Sequence, residues 1–408
     1  MSQRVREELL PRWRQRYANR GREGKSRLID ELVEDFGYSR KHAIKLLNAR
    51  AGWGGQAGVP RGRPPRYGPE VLKVLKAVWK AAEQPCGKRM AVLLAEWLPF
   101  YEQEHGKLAQ KLRKDVLGIS PAQIDRLLKP FRGGAGGRGR CGTKPGTLLK
   151  NKIPIRTDNW DIDRPGYLEA DTVAHCGTSL EGDFIWSVTY TDIYSGWTAN
   201  RAVFNKGATG IVAATREVET TLPFKVLGFD CDNGSEFLNH HLVSYFTQRP
   251  TGVKFTRSRP YHKNDNGHVE QKNWTHVRQL LGYQRLEDPK SVERINEIYR
   301  DCWEPLHNYF LPSSKLVEKS RTGAKVKRQH DKPQTPVARL LTSTKLPREA
   351  KARLRREKKR HNPFKLQREL EDRLRAILLP GLRSSRPTGS LHSAQAKSKK
   401  NRTKTPVS

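Results

Sequence analysis

The spacing of hydrophobic residues divides the chain into a helical first third and a sheet-containing middle. Up to residue 131, apolar side chains recur every three or four positions, which is typical of amphipathic helices. From residue 153 the pattern changes to short alternating segments rich in β-branched and aromatic residues, which predicts strands. Two linkers rich in Gly and Arg, at 52–68 and 132–152, separate these regions.

Residues 1–51 are predicted to form a helix-turn-helix unit. A Phe-Gly-Tyr turn at 36–38 joins two amphipathic helices, and Ser39 is placed to cap the second one. The outward positions of that second helix include Arg40, Lys41 and Lys45. Residues at such positions read the major groove in DNA-binding proteins. An ordinary helical hairpin with a charged solvent face is the alternative.

Residues 69–131 are predicted to form a second helical DNA-binding module. Ser120 as N-cap, Pro121 at the first helical position and Gln123 at the third make a strong helix start. The helix that follows the Leu-Gly turn at 117–118 then exposes Gln123 and Arg126. The tryptophans of this region, Trp79 and Trp97, are interpreted as core residues.

Residues 153–311 are predicted to form an α/β domain with a mixed five-stranded sheet. The predicted strands are Tyr167–Cys176, Phe184–Asp192, Trp197–Phe204, Phe224–Phe229 and Val253–Phe255. The predicted helices are Thr209–Leu222, Glu236–Gln248, Gly267–Tyr283 and Val292–Phe310. Three consecutive strands followed by alternating helices and strands is the order of the ribonuclease-H-like fold.

Three carboxylates are predicted to converge from two strands and a helix of this fold. Asp232 follows a short apolar strand, Glu270 lies in the first turns of a helix, and Asp171 lies in the first strand. Carboxylate oxygens are ligands for hard cations, and Mg²⁺ uses one or two of them together with phosphate oxygens. A pair of such ions can hold the attacking and leaving oxygens of an in-line phosphoryl displacement. The sequence therefore predicts a metal-dependent site for phosphoryl transfer.

Several neighbouring residues are better explained by structure than by chemistry. Asp230 is interpreted mainly as a hydrogen-bonding partner in the fold, and Asp192 as a turn cap. Cys231 is interpreted as a small buried strand residue, and Trp274 as a core residue. The five cysteines contain no CxxC pair, which argues against a zinc finger and a disulfide framework.

The sequences EADTV at Asp171, DNGSEF at Asp232 and NGHVEQKN at Glu270 together resemble the catalytic core of the DDE superfamily. This superfamily includes retroviral integrases and bacterial insertion-sequence transposases. The resemblance covers roughly residues 155–310. Asn273, one turn after Glu270, also matches the pattern and is predicted to contact DNA. It implies that the three carboxylates bind two Mg²⁺ ions, which Mn²⁺ can replace.

The resemblance further implies a DNA transposase. Metal-activated water would cleave a phosphodiester at each element end, and the freed 3′-hydroxyl would attack target DNA by transesterification. The implied partners are double-stranded terminal repeats and target DNA, bound by a homo-oligomer. A metal-dependent nuclease on the same fold is one alternative, and a non-catalytic DNA-binding regulator derived from a transposase is another.

The charge of the chain agrees with a phosphate-rich partner. Lys and Arg number 78 against 42 Asp and Glu, giving a formal net charge of +36 over 408 residues. A basic run before Glu270 contains Arg257, Arg259 and Lys263, which we expect to meet phosphates. The basic region 312–408 is expected to be largely extended or disordered at its end and to bind phosphates independently of sequence.

The sequence also predicts where the protein works. No run of 18 apolar residues is present, and the N-terminus lacks an apolar signal-peptide core. We therefore expect a soluble protein without a membrane partner, located in the cytoplasm and associated with the bacterial nucleoid.

Overall fold

The computed structural model describes most of the chain in two compact units. The described residues are 3–48, 66–132, 162–231, 237, 240–249, 252–257, 267–322 and 325–378. One unit ends at Arg66 and the other begins at Tyr67. The predicted metal ligand Asp232, most of both predicted linkers, and the predicted DNA contacts Arg259 and Lys263 lie outside these residues.

The first unit contains three helices around a small apolar cluster. They are α1 Gln3–Ala18, α2 Arg22–Phe36 and α3 Arg40–Asn48. The cluster consists of Ile29, Leu32, Phe36, Ala43 and Leu47. Gly37 ends α2 with φ +67°, a left-handed conformation that costs glycine little. The amide of His42 donates to Ser39 Oγ at 3.3 Å, so the predicted cap is confirmed.

The second unit begins with a four-helix segment. Its helices are α4 Pro69–Ala81, α5 Gly87–His105, α6 Gln110–Leu117 and α7 Pro121–Leu128. Ser120 Oγ accepts from the amide of Gln123 at 3.3 Å, as the capping pattern predicts. Trp79 and Trp97 are buried, which confirms their interpretation as core residues. Their apolar neighbours belong to the same cluster as the residues of the sheet.

The sheet of the second unit has five strands in the order β3-β2-β1-β4-β5. The strands are β1 Tyr167–Ala174, β2 Ile185–Asp192, β3 Thr198–Phe204, β4 Gly228–Cys231 and β5 Lys254–Arg257. The first three strands pair antiparallel, and β4 is parallel to both β1 and β5. The helices α8 Ala208–Thr221 and α9 His240–Thr247 pack on β3 and β5. This mixed sheet agrees with the predicted core.

The fourth strand differs from its prediction. The apolar run 224–229 predicts a strand, but β4 comprises Gly228–Cys231. Ladder pairing begins where Gly228 meets Tyr167 on β1 and Lys254 on β5. Val226 is buried although it lies before the strand. Hydrophobicity here marks burial, whereas the partners set the strand.

A long helix with a π-helical middle follows the sheet. It consists of α10 Gly267–Lys272, a π-helical segment Asn273–Arg278 and α11 Gln279–Leu281, and is called the Glu270 helix below. It packs on β1 and β2. After it come α12 Ser291–Glu297 and two further π-helical segments, Ile298–Trp303 and Leu306–Phe310.

The C-terminal region is more ordered than its composition suggests. A hairpin of β6 Leu316–Thr322 and β7 Lys325–His330 is present where the sequence indicates no convincing strands. Three helices follow it: α13 Pro336–Thr342, α14 Arg348–Arg360 and α15 Pro363–Leu378. Leu354, Phe364 and Leu370 join the cluster that contains the sheet residues. No helix in the described part of the chain is long and apolar enough to cross a membrane.

Candidate active site

Strand β1 and the Glu270 helix hold Asp171 between them. Asp171 is half-buried on β1, where it pairs with Thr189 of β2. Its Oδ1 accepts from the amide of Thr172 at 2.7 Å, and its Oδ2 accepts from Asn273 Nδ2 at 2.7 Å. Two donors on opposite oxygens restrict the rotation of this carboxylate.

A second contact fixes the start of the same helix. Glu169 is buried on β1, and its Oε2 accepts from the amide of Val269 at 3.2 Å. Two strand residues span about 6.6 Å and four α-helical residues about 6 Å. The distance from Glu169 to Asp171 along β1 therefore matches the distance from Val269 to Asn273 along the helix. Because both contacts form, the helix runs beside β1 in the same direction.

Glu270 lies between these two contacts. It follows Val269 directly and precedes Asn273 by one turn, and it is exposed. Because Val269 and Asn273 bind the side chains of Glu169 and Asp171, the backbone of Glu270 between them is held beside β1. An anionic side chain in the first helical turn is also stabilised by the helix dipole.

The third carboxylate, Asp232, lies outside the described residues. The residue before it, Cys231, ends β4 and pairs in parallel register with Ala170, the residue before Asp171. Cys231 is fully buried, as predicted. Within the described ranges, no set of three or more His, Cys, Asp or Glu side chains is placed to hold a metal ion.

Two acidic neighbours have the structural roles that the sequence predicts. Asp230 is fully buried on β4, and its Oδ1 accepts from Thr256 Oγ1 at 2.5 Å. Asp192 accepts from the amides of Gly166 and Ser195 at 2.8 and 2.7 Å and therefore caps a turn. Burial raises the pKa of the Asp192 carboxyl, while these hydrogen bonds act in the opposite direction.

A cationic and aromatic cluster lies behind the Glu270 helix. Lys272 Nζ is 3.5 Å from His276 Nε2, and the rings of His276 and His307 have centroids 4.2 Å apart. Burial, with smaller contributions from Arg89 and Arg339, lowers the pKa of Lys272 to about 8. Burial also holds the pKa values of His276 and His307 well below 6.5, so both imidazoles are neutral at pH 7.

The predicted DNA contacts of α3 lie on its exposed face. Arg40, Lys41 and Lys45 are exposed, as the periodicity predicts. Arg40 also forms an ion pair with Asp30 and donates to Ser26 Oγ at 2.8 Å. These intramolecular contacts hold its guanidinium against the side of α2.

The remaining predicted contacts fall into different environments. Arg126 is exposed on α7 and donates to Oε1 of the half-buried Gln123 at 3.4 Å. Arg257 is only 6% exposed on β5, where it pairs with Cys231. A side chain with so little surface has little to offer a phosphate, so we do not retain Arg257 as a DNA contact.

Three features of the site were missed by sequence reasoning. Trp274 is 48% exposed, so its interpretation as a core residue is wrong. The helix buries Val269, Val277 and Leu281, and its π-helical middle includes Trp274, so α-helical spacing carries no signal for the exposure of Trp274. Glu169, two residues before Asp171 on the same face of a strand, was an available signal. The third feature, the contact of Asn273 with Asp171, has no local signature.

Comparison with known proteins identifies a family by sequence. The uncharacterized protein y4rM of Sinorhizobium fredii (strain NBRC 101917 / NGR234) is 38% identical over 342 residues, which cover 83% of this chain and 96% of the relative. The chain therefore belongs to the same family as y4rM. No protein-family model matches the sequence.

Solved structures similar to part of the chain are retroviral integrase cores. The catalytic core domain of BIV integrase is 16% identical, with a TM-score of 0.23, over 29% of this chain and 66% of that chain. The HTLV-2 integrase catalytic core domain in complex with magnesium, in dimeric and trimeric forms, is 19% identical, with a TM-score of 0.23. The match covers 29% of this chain and 70% of that chain. At this TM-score the likeness assigns no function to the chain.

Proposed function

We propose that this chain is a metal-dependent DNA transposase that cuts element ends and joins their 3′-hydroxyls to target DNA. The observation that carries the proposal is the hydrogen bond between Asp171 and Asn273. It joins the first carboxylate to the helix that bears Glu270. Asp232 follows directly on Cys231, whose strand pairs with β1 beside Asp171. The proposal takes Asp232, the next residue in the sequence after this strand, as the third carboxylate.

The residues of the site have the donor chemistry that Mg²⁺ requires. Asp171 and Glu270 supply carboxylate oxygens, and Asn273 Oδ1 is a buried amide oxygen without a hydrogen-bond partner among the described residues. This oxygen can accept from a water molecule bound beside Asp171. When bound, a divalent ion would lower the pKa of the attacking water or hydroxyl and offset the charge of the phosphate.

The protein side chains have separate tasks in this proposal. Asp171, Asp232 and Glu270 are the ligands, for two Mg²⁺ ions that Mn²⁺ can replace. Asn273 and Thr172 orient Asp171, and Glu169 holds the start of the Glu270 helix. No protein nucleophile is needed, because water attacks in the cutting step and a DNA hydroxyl in the joining step.

Exposed basic surfaces support DNA as the substrate. Helix α14 buries only Leu354 and exposes Arg355, Arg356 and Lys359. The hairpin of β6 and β7 exposes Lys327 and Arg328. With the net charge of +36, such surfaces favour binding to duplex phosphates with a steep salt dependence. We infer that the chain acts as a homo-oligomer on DNA, because two element ends must be cut and joined together.

The proposal is tested by strand transfer in vitro. The DNA that flanks the gene is the donor, Mg²⁺ or Mn²⁺ is supplied, and wild type is compared with Asp232→Asn and Glu270→Gln. Glu181→Gln, at an exposed glutamate outside the site, is the matched control. We expect joined products from wild type and the control only, with DNA binding retained by all four proteins.

The other outcomes separate the alternatives. DNA binding without cleavage in either metal would favour a regulator. Cleavage without joining, and without preference for terminal repeats, would favour a nuclease. Cleavage that survives both substitutions would show that the proposed carboxylates are not the ligands.

A further inference from the structure

The Glu270 helix carries a stripe of exposed aromatic side chains with a half-buried arginine between them, and the proposed chemistry does not use it. Trp274 lies four residues after Glu270, and Arg278 lies at the end of the π-helical segment that contains Trp274. Tyr283, just beyond the end of the helix, is 37% exposed and completes the surface. Trp274, Arg278 and Tyr283 are called the Trp274 stripe below.

The side chains of the stripe contact one another. The Arg278 guanidinium lies 4.8 Å from the centroid of the Tyr283 ring, a cation–π distance. The rings of Trp274 and Tyr283 have centroids 6.4 Å apart and are tilted by 50°. This spacing and tilt leave no parallel slot between the rings, so a flat ligand would stack on the open face of Trp274.

Packing among the described residues does not explain the exposure of Trp274. Trp79, Trp97 and Trp303 are at most 1% exposed, whereas Trp274 is 48% exposed. An indole left in water forgoes much of the free energy that burial of its large apolar surface provides. Trp274 and Tyr283 are adjacent exposed aromatic side chains, and contiguous exposed apolar surface is typical of a binding site, whereas single scattered residues are not.

The charge around the stripe favours a nucleic acid as its occupant. Glu270 is the only carboxylate in the sequence of the Glu270 helix, GHVEQKNWTHVRQLL, and Arg278 supplies the cation of the stripe. Aromatic rings interleaved with cations are the usual platform for unpaired bases. Bases inside a duplex have both faces covered by their neighbours, so only a terminal or extruded base can stack on a side chain.

We propose that Trp274 stacks on an unpaired nucleobase next to the phosphate that reacts at Asp171 and Glu270. The proposal rests on the DNA function proposed above and adds the recognition of an opened DNA end. Arg278 contacts the phosphate that follows the stacked base. Stacking does not discriminate strongly among bases, so the stripe selects DNA ends by their opening rather than by their sequence.

The proposal is tested by equilibrium binding in EDTA, where cleavage cannot occur. Fluorescence anisotropy compares a blunt duplex with the same duplex bearing a short single-stranded 3′ overhang. We expect wild type to prefer the overhang by about tenfold, the effect of one base–aromatic stack. Trp274→Ala should lose this preference but keep its affinity for the blunt duplex. Trp274→Phe should keep part of the preference.

A direct contact assay and a control variant complete the test. The fluorescent base 2-aminopurine, placed in the overhang, should be quenched by wild type and not by Trp274→Ala. Leu180→Ala removes another exposed apolar side chain, 56% exposed in the β1–β2 connection, and should behave as wild type. An equal preference in wild type and Trp274→Ala would overturn the inference. Loss of the oligomer in Trp274→Ala, measured by sedimentation, with the overhang preference intact would also overturn it. The indole would then belong to a protein interface.

Failure of the proposed function is measured separately. Metal-dependent cleavage of the same two DNAs by wild type and Glu270→Gln tests the chemistry without reference to the stripe. Overhang preference without cleavage would retain the stacking site and reject the transposase. Cleavage without overhang preference would reject the stacking site and retain the transposase.

Discussion

The two helical regions of this chain look alike in sequence and are built differently. Both residues 1–51 and residues 69–131 show amphipathic helices, a tight turn, a serine cap and outward basic residues. In the structure the first region closes on its own cluster of Ile29, Leu32, Phe36, Ala43 and Leu47. The apolar residues of the second region belong to the cluster that also contains residues of the five-stranded sheet.

Contacts with the C-terminal helices explain this difference. Trp97 Nε1 donates to the carbonyl of Phe310 at 3.1 Å, and its ring meets Phe364 of α15 edge-on at 5.3 Å. The ion pairs Lys358–Glu96 and Arg368–Glu104 join α14 and α15 to α5. A C-terminal region that looks like a solvated tail by composition therefore attaches the second helical region to the core.

The comparison shows what helical periodicity can and cannot predict. It predicts which face of a helix is buried, because burial follows the 3.6-residue repeat. It does not predict the partner of that face, since a partner far away in sequence leaves no local signal. The first region is a small unit with its own core, whereas the second should unfold together with the sheet.

The largest expected effect comes from Trp97→Ala. Removing a fully buried indole that touches both α15 and the end of the last π-helical segment should lower the free energy of unfolding of the second unit by about 4 kcal/mol. Hydrogen exchange should show loss of protection in α4–α7 and in the sheet together, and unchanged protection in α2 and α3. Loss confined to α4–α7 would contradict the shared core.

Acid should destabilise the second unit next most strongly. Burial lowers the pKa of His175 to about 3 and holds those of His276 and His307 well below 6.5. Below pH 6.5 these histidines are protonated in the unfolded chain but remain neutral in the folded unit, so the free energy of unfolding falls as the pH falls through 6.5. For three such groups the free energy of unfolding decreases by about 3 kcal/mol between pH 6.5 and 5.5. Asp192, whose pKa burial raises, acts in the opposite direction.

Urea unfolding across this pH window measures the effect. His307→Gln should reduce the slope of stability against pH by about one third, since one of three groups is removed. His330→Gln, at an exposed histidine, should leave the slope unchanged. A flat profile in wild type would show that these imidazoles are not kept neutral by the fold.

Leu32→Ala should have a smaller effect, confined to the first unit. Leu32 is 1% exposed in a cluster of five residues, and its truncation should cost about 2 kcal/mol. So small a core has little stability to lose. We expect weaker binding to terminal-repeat DNA in a mobility-shift assay. Metal-dependent cleavage of non-specific DNA should be unchanged, and its loss would mean that the units are not independent.

The smallest effect should come from the ion pair of Lys358 with Glu96. The two side chains are 25% and 40% exposed, so water screens their attraction. A double-mutant cycle with both residues changed to Ala should give a coupling of about 0.5 kcal/mol. A coupling above about 2 kcal/mol would show that α14 is held to α5 mainly by this ion pair rather than by apolar packing.

The fold was predictable from sequence where local patterns decide it. Strand β1 and the Glu270 helix lie within their predicted ranges because alternation and helical spacing are strong there. Strand β4 shifted towards Cys231, because its limits depend on pairing with β1 and β5. The contact of Asn273 with Asp171 bridges 102 positions of the chain, and only the folded sheet creates it.

The site was predictable only in part for a similar physical reason. The sequence predicts Asp171 and Glu270 as metal ligands from the motifs that surround them, EADTV and NGHVEQKN. It predicts burial for Trp274, because tryptophan usually lies in cores. The π-helical winding that starts at Asn273 changes the helical phase, and no periodicity rule for an α-helix includes that change.

The most direct test of the central claim is the metal dependence of joining by Asp171 variants. Asp171→Cys exchanges a hard carboxylate for a softer thiolate ligand, whereas Asp171→Asn removes the charge. We predict that joining by Asp171→Cys is lost in Mg²⁺ and recovers in Mn²⁺, and that Asp171→Asn is inactive in both while still binding DNA. Joining by Asp171→Asn at the wild-type rate in Mg²⁺ would contradict the account.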